Sequence, residues 1–244
     1  MRPPSEWRKK DSRYKYGLSM RIFPRLTALA FICMSHLALG EPTSSLPSPG
    51  RVACVGDSIT QGAGATPGHS YPSQLQELLG SQWEVKNFGV SGRTLLRKGD
   101  FPYWNEAALK NAQDFAPNVV VIMLGTNDTK PQNWVHHTEF LSDYRDLVKI
   151  FQGLPSKPKI YICRPCPVPA PGNYGINEEN LQKEIPWINQ LAREMNLGLI
   201  DMHAAVPANL LPDRVHPNNE GAAVMAATVY KALTGKTAPS TTKP

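Results

Sequence analysis

The stretch Val52-Ala-Cys-Val-Gly-Asp-Ser-Ile-Thr-Gln-Gly62 decides how this chain is read. Residues 52–55 are apolar without alternation, the pattern of a strand covered on both faces. The run breaks at Gly56, and Ser58 follows between two glycines. A strand buried on both sides needs helices above and below it. A serine just past its end would then stand at the edge of the sheet. Alone this is a weak signal, because Gly-Asp-Ser also makes ordinary turns.

Working outward, β-rich runs occur at 52–55, 83–88, 118–124, 159–163 and 197–201. Helical patterns lie between them. One spans 71–79 and is closed by Gly80; others span 105–115 and 138–151, the latter clearly amphipathic. A long helix is predicted over 177–196, kinked at Pro186, and a last one over 219–233, ending near Gly235. Strand–helix alternation with five strands predicts an α/β fold, a three-layer doubly wound sandwich around a parallel sheet. In such folds the functional loops follow the C-terminal ends of the strands.

The remaining chemistry sits in such loops. After the second strand comes Asn87-Phe-Gly-Val-Ser-Gly-Arg-Thr94, where glycine lets a backbone N–H approach a ligand. After the third comes Gly125-Thr-Asn-Asp128, which offers an asparagine amide to the same space. Asp213-Arg-Val-His-Pro-Asn218 puts a carboxylate and an imidazole three residues apart, just before the last helix. Together these pieces supply a nucleophile, a base, an orienting acid and oxyanion donors.

Gly56-Asp57-Ser58, Gly92, Gly125-x-Asn127-Asp128 and Asp213-x-x-His216 resemble the four sequence blocks of the SGNH hydrolase (GDSL esterase) superfamily, across residues 51–235. No signature position departs from that pattern. A looser likeness, to bacterial sialate or xylan O-acetylesterase-like GDSL esterases, rests on Gly92-Arg-Thr-Leu-Leu96, Tyr103-Trp104, Leu124-Gly-Thr-Asn-Asp128 and Lys130-Pro-Gln-Asn-Trp134. The resemblance implies a flavodoxin-like sheet order and a serine esterase acting on small acyl, chiefly acetyl, esters of carbohydrate. It implies Ser58 as nucleophile, His216 as base, Asp213 as its partner, and Ser58, Gly92 and Asn127 as oxyanion donors. It implies no metal and no cofactor. A lysophospholipase or thioesterase, and a non-catalytic glycan-binding protein on the same scaffold, are the competing readings.

Charge and composition fit this picture. The formal charge is +6, but residues 1–40 hold eight Lys/Arg and two Asp/Glu, whereas residues 41–244 hold eighteen of each. The body therefore has no basic field to attract nucleic acid. Arg21 and Arg25 precede a mostly apolar run from Leu26 to Leu39 that is short for a membrane span. Ala38-Leu-Gly40 supplies small residues of the kind a signal peptidase reads, so residues 1–40 are expected to be a secretory signal, with Met20 an alternative start. The mature protein is expected to be secreted or periplasmic and free of the membrane. Residues 41–50 form a Pro/Ser linker, 51–235 the hydrolase domain, and 236–244 a loose tail.

Several other features carry less. Cys163-Arg-Pro-Cys166 has redox-motif spacing but no second pair to complete a zinc site, and a structural role is expected. His203 lacks an acid three residues earlier, and His136-His137 lacks carboxylates at ligand spacing. His69 could edge the cleft. Asp57 is expected to serve the turn rather than the chemistry. Arg93, Trp104, Trp134 and Tyr174 are candidate substrate contacts, the aromatics as platforms for a sugar, against the commoner role of aromatics in cores.

Overall fold

The computed structural model describes residues 50–239. The predicted signal and most of the predicted linker and tail lie outside these residues. Strand β1 (Gly50–Gly56) runs into a single helical turn, α1 (Ser58–Gln61), and then α2 (Tyr71–Leu79). There follow β2 (Trp83–Gly89), α3 (Ala107–Asp114), β3 (Val119–Met123), α4 (Pro131–Trp134) and α5 (Phe140–Gln152). The chain closes with β4 (Lys159–Arg164), α6 (Glu178–Glu194), β5 (Gly198–Asp201), α7 (Met202–Ala205) and α8 (Asn219–Thr234).

The five strands form one parallel sheet in the order β2-β1-β3-β4-β5. The apolar run in β1 explains the layering. Ala53 and Val55 face one side with Val120 and Ile122 of β3, under Leu109 of α3, Tyr144 and Phe151 of α5, and Ile188 and Leu191 of α6. Val52 and Cys54 face the other side with Val119, Val121 and Met123, under Leu75 of α2 and Met225, Ala226 and Val229 of α8. Strand residues alternate faces, so a strand apolar at every position feeds both cores. β2 and β5 lie at the edges and are only partly buried, as Glu84, Lys86 and Asn87 in β2 require.

Some helix boundaries differ from expectation for local reasons. The helix expected over 105–115 is interrupted at Glu106, whose extended backbone (φ −89°, ψ 139°) separates a 3₁₀ turn at Tyr103–Asn105 from α3. A similar turn, His137–Glu139, precedes α5. As expected, helix α6 continues through Pro186, which costs one backbone hydrogen bond but does not end the helix. Asn177 caps α6 by accepting the Asn180 N–H. The last helix matches closely, with Asn218 as N-cap and Gly235 as left-handed C-cap.

The order of strands positions the site. The chain passes from β1 to β2 on one side and from β3 to β4 on the other, so the loops after β1 and β3 part and leave a crevice at their carboxyl ends. Ser58 follows β1 and Asn127 follows β3.

Candidate active site

Ser58 is the first residue of α1 and only 5% exposed. Its N–H, at the start of a helical turn, has no intrahelical carbonyl to bond. Asp57 caps this turn, its Oδ1 accepting the Ile59 N–H at 3.0 Å. Asp57 is fully buried, and burial pushes its carboxyl up to about 6, against the opposing effects of the Ile59 N–H and the charge of His216. The expectation that Asp57 serves the turn matches these contacts.

His216 arrives from the loop before α8. The Ser58 hydroxyl donates to His216 Nε2 at 2.9 Å, and His216 Nδ1 lies 2.7 Å from Asp213 Oδ2. A carboxylate facing Nδ1 assigns the proton of a neutral ring to Nδ1 and leaves Nε2 as the acceptor. Asp213 is held by its own turn, with Oδ1 accepting the Val215 N–H at 3.0 Å and the His216 N–H at 2.7 Å. Partial burial would raise its pKa, but the bonds from His216 and Val215 outweigh this and hold the carboxyl below its ordinary value. Three groups from opposite ends of the domain thus form one hydrogen-bonded chain, able to draw a proton from the serine hydroxyl.

Asn127 lies in a 3₁₀ turn, Thr126–Thr129, and is buried. Its Nδ2 donates to the Arg93 carbonyl at 3.1 Å and makes a longer approach, 3.4 Å, to Asp57 Oδ2. The Arg93 bond draws Asn127 to the segment that carries Gly92, whose φ of 80° suits glycine. Asp128 joins the same two loops more firmly. Its two carboxylate oxygens accept the Leu95 N–H at 3.0 Å and the Leu96 N–H at 2.7 Å. Burial pushes Asp128 up to about 7, opposed by those two N–H groups. Asn133, also buried, donates to the Asn127 carbonyl at 2.9 Å. The roles of Asp128 and Asn133 as staples of these loops are absent from the sequence reading.

The candidate substrate contacts separate. Tyr174 reaches the Ser58–His216–Asp213 chain: its hydroxyl donates to Asp213 Oδ2 at 3.3 Å and its ring centroid lies 5.6 Å from that of His216. Arg93 adjoins Gly92 in sequence, but its guanidinium is paired with Glu106 at 2.7 Å, bonded to the Ser91 carbonyl, and set over the Phe101 ring. Trp104 donates to the Leu95 carbonyl at 2.7 Å and carries the Arg97 guanidinium 3.6 Å from its ring centroid. Trp134 stacks on His137 and Trp187. Trp104 packs against the core under α3 and α5, Trp134 packs on Trp187 of α6, and both are half-buried. Each has a local partner that the sequence did not reveal.

The other features also find structural places. His203 pairs with Glu178 at 2.6 Å, and His69 bonds Thr66 within its loop at 3.0 Å. Cys54, Cys163 and Cys166 are free thiols and buried. Among the described residues no group of three His, Cys, Asp or Glu side chains is placed to hold a metal ion. None of the described helices is long and apolar enough to cross a membrane.

Solved structures similar to this chain share its architecture. A carbohydrate acetylesterase from Sinorhizobium meliloti superposes with a TM-score of 0.62 at 21% identity, covering 76% of this chain and 98% of that one. An aryl esterase of M. smegmatis gives a TM-score of 0.62 at 20% identity, covering 76% and 99%. These likenesses bear on the fold. An acetylxylan esterase of Xylanibacter ruminicola is 40% identical, the match covering 80% of this chain and 46% of that protein. The chain thus spans about half the length of that curated relative. Residues 54–224 match the GDSL-like Lipase/Acylhydrolase family, and with Ser58, Asn127, Asp213 and His216 all inside that match, the chain belongs to this family.

Proposed function

We propose that this protein is a serine esterase that removes small acyl groups, chiefly acetyl, from carbohydrate. The observation that carries the reading is the continuous chain from Ser58 Oγ through His216 to Asp213, at 2.9 and 2.7 Å. His216 Nε2 accepts the hydroxyl proton as Ser58 Oγ attacks the ester carbonyl. Asp213 keeps the ring in the required tautomer and stabilises the imidazolium that forms. His216 then returns the proton to the departing alcohol oxygen. Water attacks the acyl-serine with His216 again as base, and acid and free serine result.

Charge on the carbonyl oxygen would be met by the Ser58 and Gly92 N–H groups and by the Asn127 amide. The Arg93 carbonyl engages one Asn127 amide hydrogen at 3.1 Å, and the other, held only by the longer 3.4 Å approach to Asp57 Oδ2, is the one that would turn to the oxyanion. The acetylxylan esterase relative and the family match support an ester substrate, and the relative's name supports acetyl on a polysaccharide. Export to the periplasm or medium belongs to the same proposal, supported by the Arg-flanked apolar run and small residues before Gly40.

The test is hydrolysis of p-nitrophenyl esters of increasing acyl length by the full chain and by Ser58→Ala. Turnover that peaks at acetate and disappears in the variant supports the reading. A peak at long acyl chains moves the substrate to lipids or thioesters, and turnover that survives in Ser58→Ala overturns the assignment of the nucleophile.

A further inference from the structure

Tyr174 combines three properties that its neighbours lack. It is 58% exposed, it touches two members of the triad, and its backbone is strained, with φ at 54°. A bulky residue in the left-handed region persists only where surrounding structure holds it there. Here the holding is explicit. Asn173 Oδ1 accepts the Tyr174 N–H at 2.9 Å, while Asn173 Nδ2 donates to the Asp213 carbonyl at 3.1 Å. Arg214 Nε donates to the Gly172 carbonyl at 2.9 Å. Beneath, Val168, Ile176, Leu181 and Val215 form a small separate apolar cluster that pins this loop to the one carrying the triad acid.

The chemistry says what lies beside the ring. The alcohol oxygen of the ester must receive its proton from His216 Nε2, so it must come within hydrogen-bond reach of that atom. The sugar bearing the oxygen therefore sits within one ring's width of the imidazole. The Tyr174 ring centroid is 5.6 Å from the imidazole centroid, and the planes meet at 53°, so the imidazole does not cover its face. The phenol bond to Asp213, at 3.3 Å, is long for O–H···O and sets the ring's direction without clamping it.

We propose that Tyr174 is the specificity-determining residue for the alcohol half of the ester, its exposed ring stacking against the apolar face of the sugar that carries the scissile acetyl group. This rests on the esterase reading above. The acyl half has no part in the contact, so the residue distinguishes alcohols and not acids. A sugar packed on an aromatic ring in this way contributes about tenfold in affinity.

The experiment compares ethyl acetate with acetylated xylo-oligosaccharides, using the full chain, Tyr174→Ala, Tyr174→Phe and Ser58→Ala. Tyr174→Ala is expected to lower kcat/KM on the oligosaccharides about tenfold more than on ethyl acetate, with the difference carried by KM. Tyr174→Phe, which keeps the ring, should restore most of the oligosaccharide KM. Equal losses on both esters in Tyr174→Ala would mean that the residue only supports the triad, and would overturn the inference. So would no change on either. Those results are distinct from failure of the esterase reading, in which the unaltered chain shows no Ser58-dependent turnover of either ester and this inference falls with it.

Discussion

The carboxyl group of Glu184 fills the space that a side chain on Gly125 would need. A β-carbon built on Gly125 would lie 2.7 Å from Glu184 Oε2, and the φ of Gly125 is 126°. Gly125 opens the turn that carries Asn127, so α6 packs a carboxyl directly behind the candidate oxyanion donor. Both Glu184 oxygens are buried, and among the described residues neither has a hydrogen-bond partner. Burial, reinforced by the nearby Asp128, pushes Glu184 well above the usual carboxylate range.

Glu184 should therefore make stability fall as pH rises. With the folded pKa above the unfolded value, folding takes up a proton between those two values. Stability is full below the unfolded pKa and declines toward the folded one, at up to about 1.4 kcal/mol per pH unit for one proton. Asp57 and Asp128, raised to about 6 and about 7, contribute with the same sign. Urea unfolding from pH 5 to pH 8 should show the decline, and Glu184→Gln should flatten it by about one proton. An unchanged slope in Glu184→Gln would mean that Glu184 ionises in the fold as it does outside it.

Asp213 behaves in the opposite sense. Its folded pKa is lowered, so its contribution to stability is present above the unfolded value and is lost as pH falls through the folded one. Asp213→Asn should keep the loop close to its present shape but favour the wrong tautomer of His216. A loss of about 10⁴ in kcat is expected. Acetate-ester kinetics near pH 8 measure it, and a loss below tenfold would show that the imidazole needs no carboxylate.

Asn127→Ala should lower kcat by about 10²–10³ with little change in KM, because the missing amide acts on charge that develops only in the transition state. Asp128→Ala should differ by costing stability as well. It would leave the buried Leu95 and Leu96 N–H groups without acceptors, at about 1–3 kcal/mol each. Melting temperature measured beside kcat separates the two variants.

The thiols of Cys54, Cys163 and Cys166 should be inert in the native protein. All three are buried; burial pushes Cys54 up to about 12 and raises Cys163 and Cys166 well above the ordinary thiol range. Cys166 Sγ lies 3.8 Å from Met225 Sδ inside the core. A thiol-specific disulfide reagent should titrate none of the three before denaturant is added and all of them afterward. Rapid native labelling at Cys163 or Cys166 would reopen a redox role for the C-x-x-C spacing.

Much of the fold is legible from local pattern. Strand β3 is apolar at every position and β1 from Val52 to Val55, and α5 and α8 carry long apolar stripes, so periodicity finds them. Helices α1, α4 and α7 have four residues each, too few for a period to register. The break at Glu106 has no Gly or Pro at that position to mark it, whereas the helix through Pro186 is as expected. Glu184 left a trace that could have been read: it shares one face of α6 with Leu181, Ile188 and Leu191. A carboxyl on an apolar stripe points to burial.

By itself the sequence determined the order of strands and helices and the chemical pieces at their ends, because both are written in short windows of residues. It also paired Asp213 with His216, three positions apart on one loop. Only the tertiary structure decided that Ser58 meets His216 across 158 positions, that Asp128 staples the loop at Leu95 and Leu96, and that Tyr174 rather than Trp104 or Trp134 stands beside the triad. Those meetings follow from strand order and the docking of loops across the sheet. They depend on which distant surfaces bury one another, and no local pattern of residues encodes that.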